Sequence, residues 1–223
     1  MPVYPVLARL GETTELGLSS AGIRNATWSQ ASATANTMCF NRGFMTGHFD
    51  GEELDAQKSA GVLCSGVHVS WRDVSASEIA ATTFAFTNVS DVHWAQAHRA
   101  AHELCVRAGL AGGRFNGYQV GDKRGLVCYS HLVARWFDAT TAQLDALDRP
   151  IGDLNTTHWA DAAAAAKQFC RSRGPDIYKT YQGGFFNGHQ AGNKRGVICL
   201  RTVAATPLIR ARDALEIPTR VGR

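Results

Sequence analysis

The chain has 223 residues, 45% of them hydrophobic, and a formal net charge of +4, which is enough apolar material to bury a substantial core, so the chain need not be disordered. Five arginines between Arg201 and Arg223 stand against only Asp213 and Glu216, so the tail carries most of the positive charge and the body lacks the basic face that nucleic-acid binding needs. No run is long and apolar enough to span a bilayer, and no cofactor fingerprint is present, so neither a membrane span nor a cofactor is expected.

From the N-terminus the chain reads as three repeats, residues 1–66, 67–130 and 131–206, followed by a C-terminal strand and arginine-bearing tail at 207–223, all within one compact domain. Self-similarity carries this reading. GGFFNGHQAGNKRGVIC (Gly183 to Cys199) occurs earlier as GGRFNGYQVGDKRGLVC (Gly112 to Cys128) and, longer and acidic, as GFMTGHFDGEELDAQKSAGVLC (Gly43 to Cys64). Upstream of each copy stand a tryptophan and a cysteine eleven positions apart: Trp28 and Cys39, Trp94 and Cys105, Trp159 and Cys170.

Each repeat opens on a strand, VYPVLARL, VHVSWRDV (Val67 to Val74) or HLVARWFDA (His131 to Ala139), because β-branched and aromatic residues fall at near-alternate places. PLIRARDAL (Pro207 to Leu215) resembles a fourth such strand, free to pair with the first repeat or with a partner. A helix follows behind a short polar cap, expected at Asn25 or Thr27, at Ser90 or Asp91, and at Asn155, Thr156 or Thr157. In the second helix Trp94, Ala97, Ala101, Leu104 and Cys105 form one apolar stripe, and in the third Trp159, Ala163, Ala166, Phe169 and Cys170 do so. Gly43, Gly109 and Gly174 mark the helix ends. A glycine-rich hairpin and a strand carrying the second cysteine close each repeat. The longer connection in the third, RSRGPDIYKTYQG (Arg171 to Gly183), is a candidate binding rim.

Six cysteines allow about 15 pairings, and the internal repetition selects Cys39–Cys64, Cys105–Cys128 and Cys170–Cys199. Such bonds point to a secreted, extracellular protein. The opening MPVYPVLARLGE is no signal peptide, so a leader is expected to have been removed or to lie outside this chain. Metal binding is the competing reading of the cysteines, since His98, His102 and Cys105 have helical spacing. No histidine pair recurs in the other repeats, and no metal is expected. The acidic stretch GHFDGEELD lacks the spacing of an EF-hand loop.

The candidate ligand-binding residues lie in the hairpins. Phe115, Asn116, Tyr118 and Gln119 correspond to Phe186, Asn187, His189 and Gln190, with His48 in the first repeat. Asn-Gly favours a tight hairpin turn, since both residues tolerate positive φ. A planar side chain followed by a carboxamide exceeds what a turn needs. Amides and rings can exchange hydrogen bonds with the hydroxyls of a neutral sugar while an aromatic face covers its C–H surface. Three weak sites would gain by acting together. Lys123 and Lys194 could reach an anionic group, but the first repeat carries acids instead. His189 with Asp161, or His48 with Asp50, could form a hydrolytic pair, yet no catalytic motif is present and no catalytic residue is assigned.

The sequence thus predicts an α+β fold of three pseudo-symmetric strand-helix-hairpin-strand repeats around a threefold axis, each closed by a disulfide. The expected function is lectin-like: non-catalytic, multivalent carbohydrate binding. The alternatives are a scaffold subunit of a larger extracellular protein assembly, joined to a protein partner through the C-terminal segment, and a secreted hydrolase.

Overall fold

The structure is a computed structural model and describes residues 4–18, 22–54, 59–173 and 181–201. The strand expected at Pro207 to Leu215, the helix stop at Gly174 and residues 174–180 of the rim lie outside the described residues. The protein is mixed α+β, built on three small antiparallel sheets and three disulfides.

The first sheet unit comprises strand β1 (Tyr4–Arg9), short helix α1 (Leu10–Glu15), helix α2 (Trp28–Asn41) and strands β2 (Thr46–Leu54) and β3 (Ser59–Ser65). The second has β4 (Val69–Ser75), short α3 (Ala76–Ala80), α4 (Trp94–Arg107), β5 (Gly112–Val120) and β6 (Lys123–Tyr129). The third has β7 (Ala134–Thr140), short α5 (Thr141–Asp145), α6 (Trp159–Ser172), β8 (Tyr181–Ala191) and β9 (Lys194–Arg201). The sheet orders are β1-β3-β2, β4-β6-β5 and β7-β9-β8, so the strand with the second cysteine lies in the middle each time. The short helix after each opening strand was not legible in the sequence.

The three expected disulfides are formed, each tying the end of a long helix to the central strand of its own sheet. The crossing explains a glycine in the motif. A Cβ at Gly47 would lie 2.0 Å from Cys39 Sγ, and one at Gly113 would lie 2.2 Å from Cys105 Sγ, distances no side chain tolerates.

Helix α2 starts at Thr27, whose hydroxyl accepts from Gln30 N at 3.3 Å while the Gln30 side chain accepts from Thr27 N. This is a capping box. The caps of α4 and α6 differ from expectation: they are His93 and His158, whose Nδ1 atoms accept from Ala95 N and Ala160 N at 3.3 and 3.2 Å. An imidazole lone pair serves where a hydroxyl or carboxylate was expected. The helices end near Gly43 and Gly109, which have φ of 81° and 77°.

Each long helix packs on its own hairpin and on that of another unit: α2 on β2 and β5, α4 on β5 and β8, α6 on β8 and β2. The tryptophans follow the same circuit. Trp28 Nε1 donates to Val92 O at 2.8 Å, Trp94 Nε1 to Thr157 O at 2.8 Å, and Trp159 Nε1 to Ala26 O at 3.0 Å. The largest core cluster runs through α4, α6 and the second and third sheets, and Trp159 also packs against the core of the first.

Candidate functional site

The hairpin motif divides into an inner and an outer half. Phe115, Phe186, Asn116 and Asn187 are fully buried rather than displayed. Their Asn-Gly pairs do not make the hairpin turns, which fall at Gly121-Asp122 and Gly192-Asn193. They form bulges within β5 and β8, where the register shifts between Phe115 and Gln119 and between Phe186 and Gln190. The physical cause is local: Asn116 Oδ1 accepts from Tyr118 N at 3.0 Å and Asn187 Oδ1 from His189 N at 2.9 Å, folding the backbone in mid-strand. Asp50 does the same with Glu52 N at 3.1 Å. Gly51, Gly117 and Gly188 follow with φ of 80°, 81° and 79° and lie against the backbones of α6, α2 and α4.

Gln119 and Gln190 also face inward to the protein's own backbone. Gln119 Oε1 accepts from Val89 N and Gln190 Oε1 from Leu154 N, both at 2.9 Å, pinning the loops that lead into α4 and α6. Glu53, at the corresponding position, accepts from Ile23 N at 2.6 Å. The sequence signal for Glu53 was its step from Asp50, equal to that of Gln119 from Asn116. Behind Lys123 and Lys194, which are exposed, Arg124 and Arg195 are buried and donate to the carbonyls of Thr87 and Gly152.

What reaches the surface is a pair of rings. Tyr118, 40% exposed, meets Trp71 edge-on with ring centres 6.0 Å apart. Trp136, 38% exposed, meets His189 at 5.5 Å and His102 of α4 at 4.6 Å. The structure therefore brings Tyr118 and His189 beside Trp71 and Trp136 and separates them from Asn116, Asn187, Gln119 and Gln190. Trp136 Nε1 donates to Asp138 Oδ1 at 3.0 Å, and Asp138 Oδ2 lies 3.7 Å from Lys194 Nζ. Among the described residues Trp71 Nε1 has no acceptor. On its far side Trp136 borders an open groove of about 610 Å³ with Val106, Leu110, His131, Arg135 and Arg201. Burial, with the neighbouring His189, pushes the His102 imidazole down to about 4, so it is neutral at pH 7. His48 is 7% exposed and lies in the interior against Phe185, not in either surface pair.

No family model, curated protein or solved structure matches this chain. What the surface pairs can do follows from their own atoms: a partly open indole face and a polar ring beside it, with a lysine-aspartate pair at the rim of Trp136–His189. The first unit lacks the pair, since Glu52, at the place of Tyr118 and His189, joins the buried Lys167. The hydrolytic pairs are not made. Asp161 is held by Arg24 and Arg149, both at 2.8 Å, and Asp50 by Lys167 at 2.7 Å. Cys105 is bonded to Cys128 and offers no thiolate to a metal beside His98 and His102.

Proposed function

We propose that the protein is a secreted, non-catalytic carbohydrate-binding module whose sites are the ring pairs Trp136–His189 and Trp71–Tyr118, carried on pseudo-symmetric units. The observation behind this reading is the recurrence of a half-exposed tryptophan next to a polar ring at two corresponding places, while the remaining motif residues serve the interior. An indole face supplies apolar area to the C–H surface of a sugar at low entropy cost, and the imidazole or phenol at its edge gives and takes hydrogen bonds. Two such sites on one rigid body favour a ligand with repeated sugars. Three disulfides suit an oxidising compartment, and no helix among the described residues is long and apolar enough to cross a membrane.

A glycan array with the wild type and a Trp71→Ala/Trp136→Ala variant tests the proposal. Binding by the wild type, lost in the variant at an unchanged Tm, is the expected result. A blank array at high protein concentration rejects the sugar reading. The scaffold reading draws on exposed Val106, Leu132 and Trp136 near Arg201, and a stoichiometric protein partner lost on deleting Pro207 to Arg223 would replace the first proposal with it.

A further inference from the structure

The three long helices and all three hairpins line a cavity of about 50 Å³ at the centre of the molecule. Several times the roughly 10–15 Å³ that one water requires on this measure is available. Its walls include Trp28, Trp94 and Trp159, the same three indoles that bond from unit to unit. Its polar lining comes from Arg114, His48, His98 and Ser32. Ser32, His98 and Ala163, each four residues after a helix's first tryptophan, are half-buried and give this end a path to solvent.

Arg114 is the unusual member. It is 1% exposed, and among the described residues it has no carboxylate partner. Its Nε donates to Tyr129 Oη at 3.2 Å, and Nη2 to Thr46 Oγ1 and Gly47 O at 2.9 and 2.7 Å. Nη1 has only the Phe115 carbonyl at 3.5 Å. All of these acceptors are neutral, so the guanidinium charge stays uncompensated where few other dipoles screen it. Arg124 and Arg195 are likewise buried with carbonyl acceptors but lie outside the cavity lining, whereas the buried Lys167 sits directly on Asp50.

Two imidazoles border the same space. His48 makes no well-formed hydrogen bond through either ring nitrogen, although the backbone of Gly184 favours its protonated form. His98 Nδ1 donates to the Phe186 carbonyl at 2.9 Å, so Nε2 accepts in the neutral ring and donates only once the ring is protonated. No acid lines the cavity. The indole N–H groups are already engaged with backbone carbonyls.

We infer that the central cavity is a binding site for a small monovalent anion of halide or nitrate size, held by Arg114 with His48 and His98. Occupancy supplies the missing negative charge and links the three units through their common centre. It is independent of the surface ring pairs and of any sugar. Binding tightens as pH falls, because an anion favours the protonated forms of His48 and His98; His93, which opposes protonation of His98, is the other titratable group acting there.

Thermal unfolding in sodium chloride against sodium gluconate, at fixed ionic strength, reads this out. The wild type should gain about 3–5 °C in Tm for each tenfold excess of chloride over its dissociation constant. Arg114→Met should abolish the gain, and His48→Phe, which copies Phe185 at the corresponding position, should move it to higher chloride. Equal Tm in chloride, nitrate and gluconate overturns the site. Should Arg114→Met fail to fold, a Trp71→Phe/Trp136→Phe protein keeps only the three cavity tryptophans of the five in the chain. Bromide should quench their fluorescence saturably, and quenching that is absent or strictly linear also overturns the proposal.

Discussion

Asn187 shows how one residue type can be right in the sequence and misplaced in its task. Asn-Gly is read as a turn because both residues tolerate positive φ, and Gly188 does adopt a φ of 79°. The turn it makes lies in mid-strand, and the carboxamide is fully buried. Nothing in FNGH distinguishes a hairpin tip from a bulge, since the difference is set by the helix of another unit pressing on the glycine: a Cβ at Gly188 would lie 2.0 Å from Ala95 O. Asn187→Ala should therefore cost about 1–3 kcal/mol by leaving the His189 amide without its acceptor. His189→Ala should leave stability within about 0.5 kcal/mol while weakening ligand binding. Urea unfolding of the two variants separates them, and equal losses would place His189 inside the same clasp. The aromatic, polar and charged members of the motif were all legible by type. Their division between interior and surface was not, because β-strand alternation is broken at the bulge.

At the scale of elements, the three helix-on-hairpin contacts share geometry and differ in chemistry. Eight residues after the first-turn tryptophan stand Asn36, His102 and Lys167, all buried. The corresponding hairpin residues are Asn116, Asn187 and Asp50, and among the described residues only α6 and β2 meet through a buried ion pair, Lys167 with Asp50 at 2.7 Å. Removing one partner of such a pair strands a charge at a cost of about 3–5 kcal/mol, whereas replacing both with neutral groups is far milder. Lys167→Asn should thus be severely destabilising, and the added Asp50→Asn should restore much of the loss by reproducing the Asn36 and Asn116 pair of residue types. A double variant no more stable than Lys167→Asn alone would show that the pair is not what holds this contact. The helices and strands themselves could be read from periodicity and from the cysteine spacing. The histidine caps could not, because propensity ranks hydroxyls and carboxamides first, and the alternative acceptor emerges only once His93 and His158 are seen folded over the helix starts.

For the molecule as a whole, the repetition in the sequence announced three units and their disulfides, but not the circuit through Trp28, Trp94 and Trp159 or the polar centre it surrounds. His48 of the first repeat meets His98 and Arg114 of the second there, and single-repeat patterns carry no sign of it. This centre sets the response to acid. Burial holds His48 well below its ordinary value, with Arg114 adding to the effect. Burial also pushes His98 down to about 4, opposed by the Phe186 carbonyl, and His102 reaches a similar value. In the unfolded chain these imidazoles titrate near 6.5, so between that value and about 4 the unfolded state binds more protons than the folded one. Their contribution to stability is fully present above pH 6.5 and falls as the pH drops, by up to about 1.4 kcal/mol per pH unit for each histidine. Most carboxylates titrate lower, which leaves the limb from pH 6.5 to 4.5 to the histidines. Thermal unfolding in gluconate, where a chloride ion cannot contribute, should show Tm falling steadily across this range. His98→Ser, which copies Ser32, should flatten the slope by one proton's worth, and an acid limb parallel to that of the wild type would mean that His98 is already charged in the folded core.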